Sequence, residues 1–434
     1  MGHLHGVSRR PRQLNAAAAT SLYLSTLFVV VYGSMNWLAS RRTNVGSWYF
    51  PWEHRLPFVS WLIVPYMAID LFFIAAPFLC ADADELRAFR RRMTAAIVVA
   101  GACFGLMPLR FAFPRPVPDD WTAPIFKVLY GADQPYNLFP SLHIAITMIL
   151  AGTYRRHCRD PLWRAAVHAW FSLIAVSTVL TYQHHVIDVA GGFVLALGCY
   201  YLLPEHNRAV PVAVNASVGR RYAACAALCA GAGIWLRPAG LLLMWPAVSL
   251  AIVAGAYFGL YAGITRKEGS RLPVSATLIL APWLVGQHLS LLYYKRRCSA
   301  WDRIAPTVWI GRRLSEREAA AAVKAGVTAV LDLTAEFSEP RSFLGLTYLN
   351  LPVLDLTAPS AEQVHAAVDF INMERQTGIV YVHCKIGYSR SAAVVGAWLR
   401  DAGLADSAEA AVAHMTTIRP SMVVRPEAWQ VLRA

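Results

Sequence analysis

A polytopic α-helical membrane bundle followed by a smaller α/β domain is the fold that this sequence predicts. Three observations predict it. Of 434 residues, 56% are hydrophobic and only 15% charged, with a mean hydropathy of +0.41. That is a membrane-protein profile rather than a globular one. Apolar runs long enough to cross a bilayer recur from residue 16 to residue 294. Beyond them the pattern changes. Gly378-Ile379-Val380-Tyr381-Val382 reads as a buried strand, and Ser391-Ala392-Ala393-Val394-Val395-Gly396-Ala397-Trp398-Leu399 as a helix, with a short loop between.

Charge follows the same division. Residues 299–434 hold 13 Lys+Arg against 14 Asp+Glu, which leaves 27 against 12 for the rest of a chain of net charge +14. The basic excess travels with the apolar segments, so it signals membrane orientation rather than nucleic-acid binding. The eight cysteines show neither metal-ligand spacing nor a paired pattern. They read as reduced or lipid-embedded, and no metal or cofactor is expected.

In chain order, a basic N-terminus, 1–15, carries Arg9, Arg10 and Arg12. Runs near 16–40, 58–80, 94–113, 141–154, 165–182 and 186–204 give six expected spans within a domain at 16–205. The first is too long and poorly ended for a cleaved leader, so it reads as a retained anchor. Gly6 stands where a myristoylation signal needs Ser or Thr, so Gly2 is not acylated. Basic clusters at Arg87–Arg92, at Arg155-Arg156-His157, and at Arg208 with Arg220-Arg221 fall on one side if the N-terminus is inside. Arg41-Arg42 breaks that rule. Asp70, after Pro65 in the second span, either reaches a headgroup or pairs with another helix.

The loops on the opposite side carry a constellation of ionisable residues. Arg115 follows Phe113-Pro114 at the start of the long loop, and Pro140-Ser141-Leu142-His143 closes it. His184-His185-Val186-Ile187-Asp188 opens the sixth span. His184 and Asp188 stand four apart, so they share a helix face and can hydrogen-bond, which makes an oriented nucleophile or base. His143 is a second imidazole, suited to protonating a leaving group. Arg115 and Ser141 can hold phosphate oxygens. Polar clusters at membrane depth default to function.

Residues 206–298 read as additional membrane segments and a linker. Runs at 239–262 and 273–294 can span, whereas 222–236, between Arg221 and Arg237, reads as interfacial or re-entrant. Eight spans put Lys295-Arg296-Arg297 and the last domain in the cytoplasm, and nine put them outside. A reactive thiolate after three basic residues favours the cytoplasm.

The last domain, 299–434, contains His383-Cys384-Lys385-Ile386-Gly387-Tyr388-Ser389-Arg390-Ser391. A thiolate that attacks phosphorus must be ionised at neutral pH. The N–H groups of Lys385, Ile386, Gly387, Tyr388 and Ser389 can wrap a phosphate as an anion nest, with Gly387 allowing close approach. Arg390 can grip two phosphate oxygens. A helix N-terminus beyond the loop favours both thiolate and phosphate. The proton donor for the leaving oxygen is sought on another loop, where Asp355 lies in Leu351-Pro352-Val353-Leu354-Asp355-Leu356. Asp332 follows a strand too directly and reads as structural.

On these residues the C-terminal domain resembles the dual-specificity branch of the protein tyrosine phosphatases. The resemblance implies Cys384 as nucleophile, Arg390 as phosphate clamp and Asp355 as general acid. It implies Ser391 as the hydroxyl that eases thiolate departure and His383 as the residue that lowers the Cys384 pKa. Ile386 stands where that family usually has Ala. A Lys inside the loop, as at Lys385, recurs in members acting on lipid phosphates. The bundle resembles the type-2 phosphatidic acid phosphatase superfamily, which reads Lys-x6-Arg-Pro, Pro-Ser-Gly-His and Ser-Arg-x5-His-x3-Asp. Carried over, His184 is the nucleophile, Asp188 its orienter and His143 the acid, with Arg115 and Ser141 on phosphate. Pro108 replaces the first Lys, Leu142 the Gly, and Ser177-Thr178 the Ser-Arg. These departures resemble the lipid phosphotransferase branch, which includes sphingomyelin and inositol-phosphorylceramide synthases, and they leave hydrolysis and transfer both open.

The expectation is therefore a bifunctional membrane phosphatase of lipid phosphates in a plasma or bacterial inner membrane. Its partners are phospholipid or phosphorylated-headgroup substrates and membrane lipids, with no nucleic acid and no oligomeric state indicated. The alternatives are a membrane-anchored protein phosphatase in signalling, and a non-catalytic bundle fused to a phosphatase.

Overall fold

The computed structural model describes residues 11–206, 210–211, 214–236 and 239–433. Arg9, Arg10, Gly2, Gly6, Arg208 and Arg237, on which part of the topology reading rests, lie outside them. The chain forms two compact units, Met1–Asn207 and Arg208–Ala434.

The first unit is helical. Its helices are α1 (Pro11–Ser40), α2 (Ile63–Ala75), α3 (Ala83–Leu106), α4 (Ala123–Ala132), α5 (Leu142–His157), α6 (Pro161–Leu180) and α7 (Val186–Leu202). Their ends follow local chemistry. Asp82 caps α3 by accepting from the Asp84 and Glu85 N–H groups, and Asp160 caps α6 just before Pro161. Basic Arg155, Arg156 and His157 occupy the last turn of α5, where the helix dipole favours them. The expected span at 94–113 is corrected. The helix runs from Ala83 and closes at Leu106, because Pro108 cannot continue it. Its basic cluster therefore sits inside the helix rather than before it.

Leu24, Phe73, Met93, Ile97, Phe104, Ile149, Phe171 and Ile174 form the unit's core. Among the described residues, four helices are long and apolar enough to cross a membrane: Arg12–Ser40, Ser60–Phe78, Pro161–Leu180 and Gly240–Tyr257. With Val186–Leu202 as a shorter apolar helix, they mark a membrane protein.

The second unit opens with α8 (Ala216–Trp235), α9 (Met244–Tyr257), α10 (Val274–Ile279) and α11 (Ala281–Lys295). The run expected to be continuous over 273–294 is broken at Leu280. Pro282 has no N–H to continue the ladder and instead starts α11. The α/β part follows as β1 (Trp301–Ala305), β2 (Val308–Arg312), α12 (Glu316–Lys324), β3 (Val327–Thr334), β4 (Thr347–Val353), α13 (Ala361–Glu374), β5 (Ile379–Cys384), α14 (Ser389–Asp401), α15 (Ala408–Ile418) and α16 (Pro426–Arg433). The sheet order is β1-β2-β5-β3-β4, parallel except for β1 against β2. β5 lies centrally and is buried along its length except at Ile379, which is why it reads as an unbroken apolar run. Its carboxyl end therefore opens between two parallel neighbours, where α/β sheets place their ligand sites.

The helical segment and the sheet share a core. Lys267, in the α9–α10 loop, is fully buried as an ion pair with Asp332 at the end of β3, and it also donates to the Thr334 carbonyl (3.1 Å) and hydroxyl (3.2 Å). Glu339 N–H donates to the Ser270 carbonyl (2.8 Å), and Leu272 N–H to Ser338 Oγ (3.0 Å). Leu291 of α11 packs with Phe337 and Ile386. The boundary expected at residue 298 thus falls inside one folded unit. Removing one partner of a fully buried ion pair strands the other charge, at about 3–5 kcal/mol. Lys267→Met should lower the melting temperature of the detergent-solubilised protein strongly, whereas Lys295→Met, at a half-exposed site, should leave it nearly unchanged.

Candidate active sites

The cysteine loop is built from the central strand outward. β5 delivers Cys384 to the sheet edge, and α14 begins at Ser389. Between them Gly387 adopts φ +75, and a Cβ there would lie 2.4 Å from the Gly311 carbonyl oxygen. Only glycine allows this approach. The loop's carbonyls are tied outward. The Arg313 N–H donates to the Lys385 carbonyl (3.1 Å), and fully buried Arg419 donates to that of Ile386 (2.9 Å). Ser389 Oγ accepts from Arg425 N–H (2.8 Å) and donates to the Val423 carbonyl (3.0 Å). The Ile386 and Ser391 N–H groups turn to the sulfur instead. Burial pushes the Cys384 thiol up, but the Arg390 charge, Ser391 and these N–H groups outweigh it, so the thiol is more acidic than usual.

Arg390 is held on several sides. It makes a two-pronged pair with buried Glu336 (2.8 and 3.1 Å), donates to the Val353 carbonyl (2.8 Å) and reaches Asp355 (3.0 Å). Lys385 bonds both Asp355 and Gln287 of α11 (3.0 Å). Asp355, Arg390 and Lys385 therefore meet at the loop, as their candidate roles require. Burial raises the Asp355 carboxyl, yet Arg390 and Lys385 together overcome it and hold it below the usual carboxylate range.

His383 is fully buried behind the loop with Glu339 at 3.4 Å and Asp332 at 3.8 Å. Burial lowers its pKa, and the two carboxylates raise it further than burial lowers it. Asp332, Glu339 and His383 form a three-ligand cluster, in which Lys267 Nζ already supplies a positive charge to Asp332. Sequence reading did not find Glu336, Gln287 or Lys267. Glu336 carries no motif signal, and the other two lie on elements far upstream.

The bundle brings its two candidate imidazoles together. His143, in the first turn of α5, and His184 both line a cavity of about 450 Å³, with Tyr32, Tyr66, Asp70 and Asp133 among its other walls. His143 stacks on Tyr66 (centroids 4.2 Å, 15°). The helix starts are joined directly, since Ser141 N–H donates to the Asp188 carbonyl (2.9 Å) and Gly192 leaves room for the Ser141 backbone. His184 precedes α7 rather than sharing its face, because His185 is the N-cap. The hydrogen bond expected between His184 and Asp188 is not formed: His184 Nδ1 lies 3.7 Å from Asp188 Oδ2, and that oxygen instead accepts the His185 N–H at 2.8 Å. Ser141 Oγ caps α5 through Ile144 N–H (3.3 Å), and Arg115 donates to the Asp133 carbonyl (3.1 Å) over the Tyr130 ring. Neither lines the cavity. His185 is distinct from His184. It is fully buried, pairs with Glu53 (2.8 Å) and accepts Ala112 N–H (3.1 Å), so it is a structural residue.

Known proteins match this architecture in two pieces. The model of the dual specificity phosphatase catalytic domain matches residues 308–434, and that of the PAP2 superfamily matches residues 3–202. The human "Phosphatidylglycerophosphatase and protein-tyrosine phosphatase 1" is 31% identical over 151 residues, covering 31% of this chain and 71% of that protein. The chain belongs to the dual specificity phosphatase family. It joins that family's catalytic domain to an N-terminal PAP2-superfamily domain. "Phosphatidylglycerophosphate phosphatase PTPMT2" of Arabidopsis thaliana is 31% identical over 139 residues, 30% of this chain and 60% of that protein. The chain spans between 47% and 71% of the length of the curated relatives that it matches, the rat counterpart of the human protein being at the lower end. Among solved structures, PTPMT1 is 28% identical over 31% of this chain and 91% of its own, with a TM-score of 0.28. Tk-PTP is 29% identical over 31% and 93%, with a TM-score of 0.29.

The dual specificity phosphatase site has a pH signature. A general acid must start protonated; with Asp355 in that role and held low, kcat/KM should rise as pH falls below neutrality until the Cys384 thiolate is lost. Removing the Lys385 charge raises the Asp355 pKa. In Lys385→Met the alkaline limb of the pH–kcat/KM profile should therefore move to higher pH. An alkaline limb that does not move would mean that Asp355 is not the group titrating there.

Proposed function

We propose that the chain is a bifunctional membrane phosphatase of lipid phosphates, with a cysteine site in the C-terminal unit and a histidine site in the bundle. The observation that carries the lipid reading is Lys385. It projects from the phosphate loop to Asp355 and to Gln287, which sits on α11, a helix whose Val285, Leu289 and Leu292 are exposed and apolar. A buried cation on the phosphate loop suits a second anionic group near the scissile phosphate, and the apolar helix suits acyl chains. The relatives named as phosphatidylglycerophosphatases support the same reading.

At the cysteine site the Cys384 thiolate attacks phosphorus and the bond to the leaving oxygen breaks. Asp355 gives that oxygen its proton, while Arg390 and the loop N–H groups hold the equatorial oxygens. Water then attacks the phosphocysteine, Asp355 takes up its proton, and Ser391 eases departure of the thiolate. His383 stands behind the nucleophile as a buried positive charge. In the bundle, His184 is the nucleophile, Asp188 orients it and His143 protonates the leaving group. The phosphohistidine then passes its phosphoryl group to water or to a lipid hydroxyl. Thr178, in the place of the superfamily's Arg, favours the hydroxyl.

The domain assignment within this proposal is a basic segment at 1–15, six spans over 16–205, further membrane segments over 206–298 and the phosphatase domain at 299–434. Eight spans in all place the phosphatase site in the cytoplasm, where a thiolate stays reduced.

Two experiments test the proposal. Full-length Cys384→Ser should lose the cysteine-dependent turnover of phosphatidylglycerophosphate or phosphoinositide in mixed micelles. Asp355→Asn should slow it by roughly 10²-fold. A preference for phosphotyrosine peptides over these lipids would replace the lipid reading with a signalling phosphatase. In a Cys384→Ser background, His143→Ala and His184→Ala should each remove the remaining lipid activity, and the double variant should be scarcely worse than either. Labelled phospholipid then separates free phosphate, meaning hydrolysis, from a new phosphorylated lipid, meaning transfer.

A further inference from the structure

Asp355 is placed by more than its own loop. The next residue, Leu356, has φ +60, a conformation that a branched side chain adopts only when the surroundings enforce it. Within the loop Thr357 closes a turn on the Leu354 carbonyl through its N–H (3.2 Å) and hydroxyl (2.8 Å), and two further holds come from outside the matched family domain. The Tyr257 hydroxyl, at the end of α9, donates to the Asp355 carbonyl (2.6 Å). The Asn215 side-chain amide, at the start of α8, donates to the Leu356 carbonyl (2.8 Å). The two carbonyls on either side of the strained peptide are thus both held by the helical hairpin. Asn215 does so while its Oδ1 caps α8 through Val218 N–H (3.3 Å), and its own N–H donates to the Tyr257 carbonyl (3.0 Å). The clamp therefore closes on itself. On the far side of the carboxylate, Gln287 of α11 holds Lys385, and Tyr222 of α8 reaches Gln287 (3.5 Å) and Trp283 (3.3 Å).

We propose that Tyr257 and Asn215 are positioning residues for the general acid, so that the membrane hairpin α8–α9 is a working part of the phosphatase site rather than an anchor. This rests on the reading of Asp355 as the acid. The physical argument is one of placement. A proton donor acts only within hydrogen-bond reach of the leaving oxygen, and a misplacement of an ångström is costly in rate. A loop with a strained residue relaxes when its clamps are removed. The Asp355 carboxylate, which the clamped loop holds beside Arg390 and Lys385 at the phosphate loop, is then no longer fixed there. Neither clamp touches Cys384 or Arg390, so attack on phosphorus is unaffected.

That separation defines the test. The alcohol of a lipid phosphate leaves as an alkoxide and needs the proton, whereas that of p-nitrophenyl phosphate leaves as a stable phenolate; hydrolysis of the phosphocysteine is common to both, so the comparison is read in kcat/KM, which ends at phosphocysteine formation. In full-length protein carrying His184→Ala to silence the bundle, Tyr257→Phe should lower kcat on phosphatidylglycerophosphate about tenfold with KM unchanged. It should leave kcat/KM on p-nitrophenyl phosphate as it was. Asn215→Ser keeps an α8 cap but is too short to reach Leu356, and should do the same. An intact kcat/KM on p-nitrophenyl phosphate certifies the fold of each variant. Equal losses on both substrates, or no loss on either, would overturn the positioning role. Asp355→Asn is the reference. If it discriminates between the substrates and Tyr257→Phe does not, only the clamp is wrong. If Asp355→Asn slows both alike, the general-acid reading fails and the clamp falls with it.

Discussion

The buried guanidinium of Arg390 is the charge on which the cysteine site depends. It is 3% exposed, and the two-pronged pair with Glu336 fixes its plane. A buried cation is tolerated only when its donors are satisfied. Glu336, Asp355 and the Val353 carbonyl do that before any phosphate arrives. The same charge draws the Cys384 thiol toward its ionised form and the Asp355 carboxyl below its ordinary range. One residue thus acts on both Cys384 and Asp355, and the protonation states of these two groups are linked rather than independent.

A second dependence runs through the helices that precede the sheet. Lys267, Ser270, Leu272, Gln287 and Leu291 all contact the α/β part, and Lys267 neutralises a carboxylate at the end of a central strand. Without that segment Asp332 would keep the Tyr348 hydroxyl and the more distant His383 but lose its direct ammonium partner. The family's catalytic domain is therefore not self-contained here. Its charge balance is completed by a segment that reads as membrane helices.

The bundle solves a different problem. Two imidazoles must face one cavity with little water to help them. The fold does this by joining the first residues of α5 and α7 through Ser141 and Asp188, with Gly192 permitting the close approach. His185 shows how context separates neighbours of one chemistry. Glu53 and the Ala112 N–H consume both its ring nitrogens, while His184 beside it faces the cavity.

The amino-acid sequence by itself determined what depends on local spacing and hydropathy. The strand–loop–helix around Cys384 was legible because its loop must present five N–H groups and an Arg at fixed separation, and Gly387 is the residue that such a turn demands. The membrane class was legible because a bilayer requires long apolar runs. His143, His184 and Asp188 were legible as ionisable groups at span ends. What tertiary structure alone decided concerns partners distant in sequence. Glu336 on Arg390, Lys267 on Asp332 and Glu53 on His185 carry no periodic or motif signal, because a buried charge is paired in space and any carboxylate or ammonium that the fold delivers will serve. The end of α3 and the break before α11 belong to an intermediate case. Pro108 and Pro282 were visible, but a hydropathy window averages over a single missing N–H, whereas the helix itself cannot.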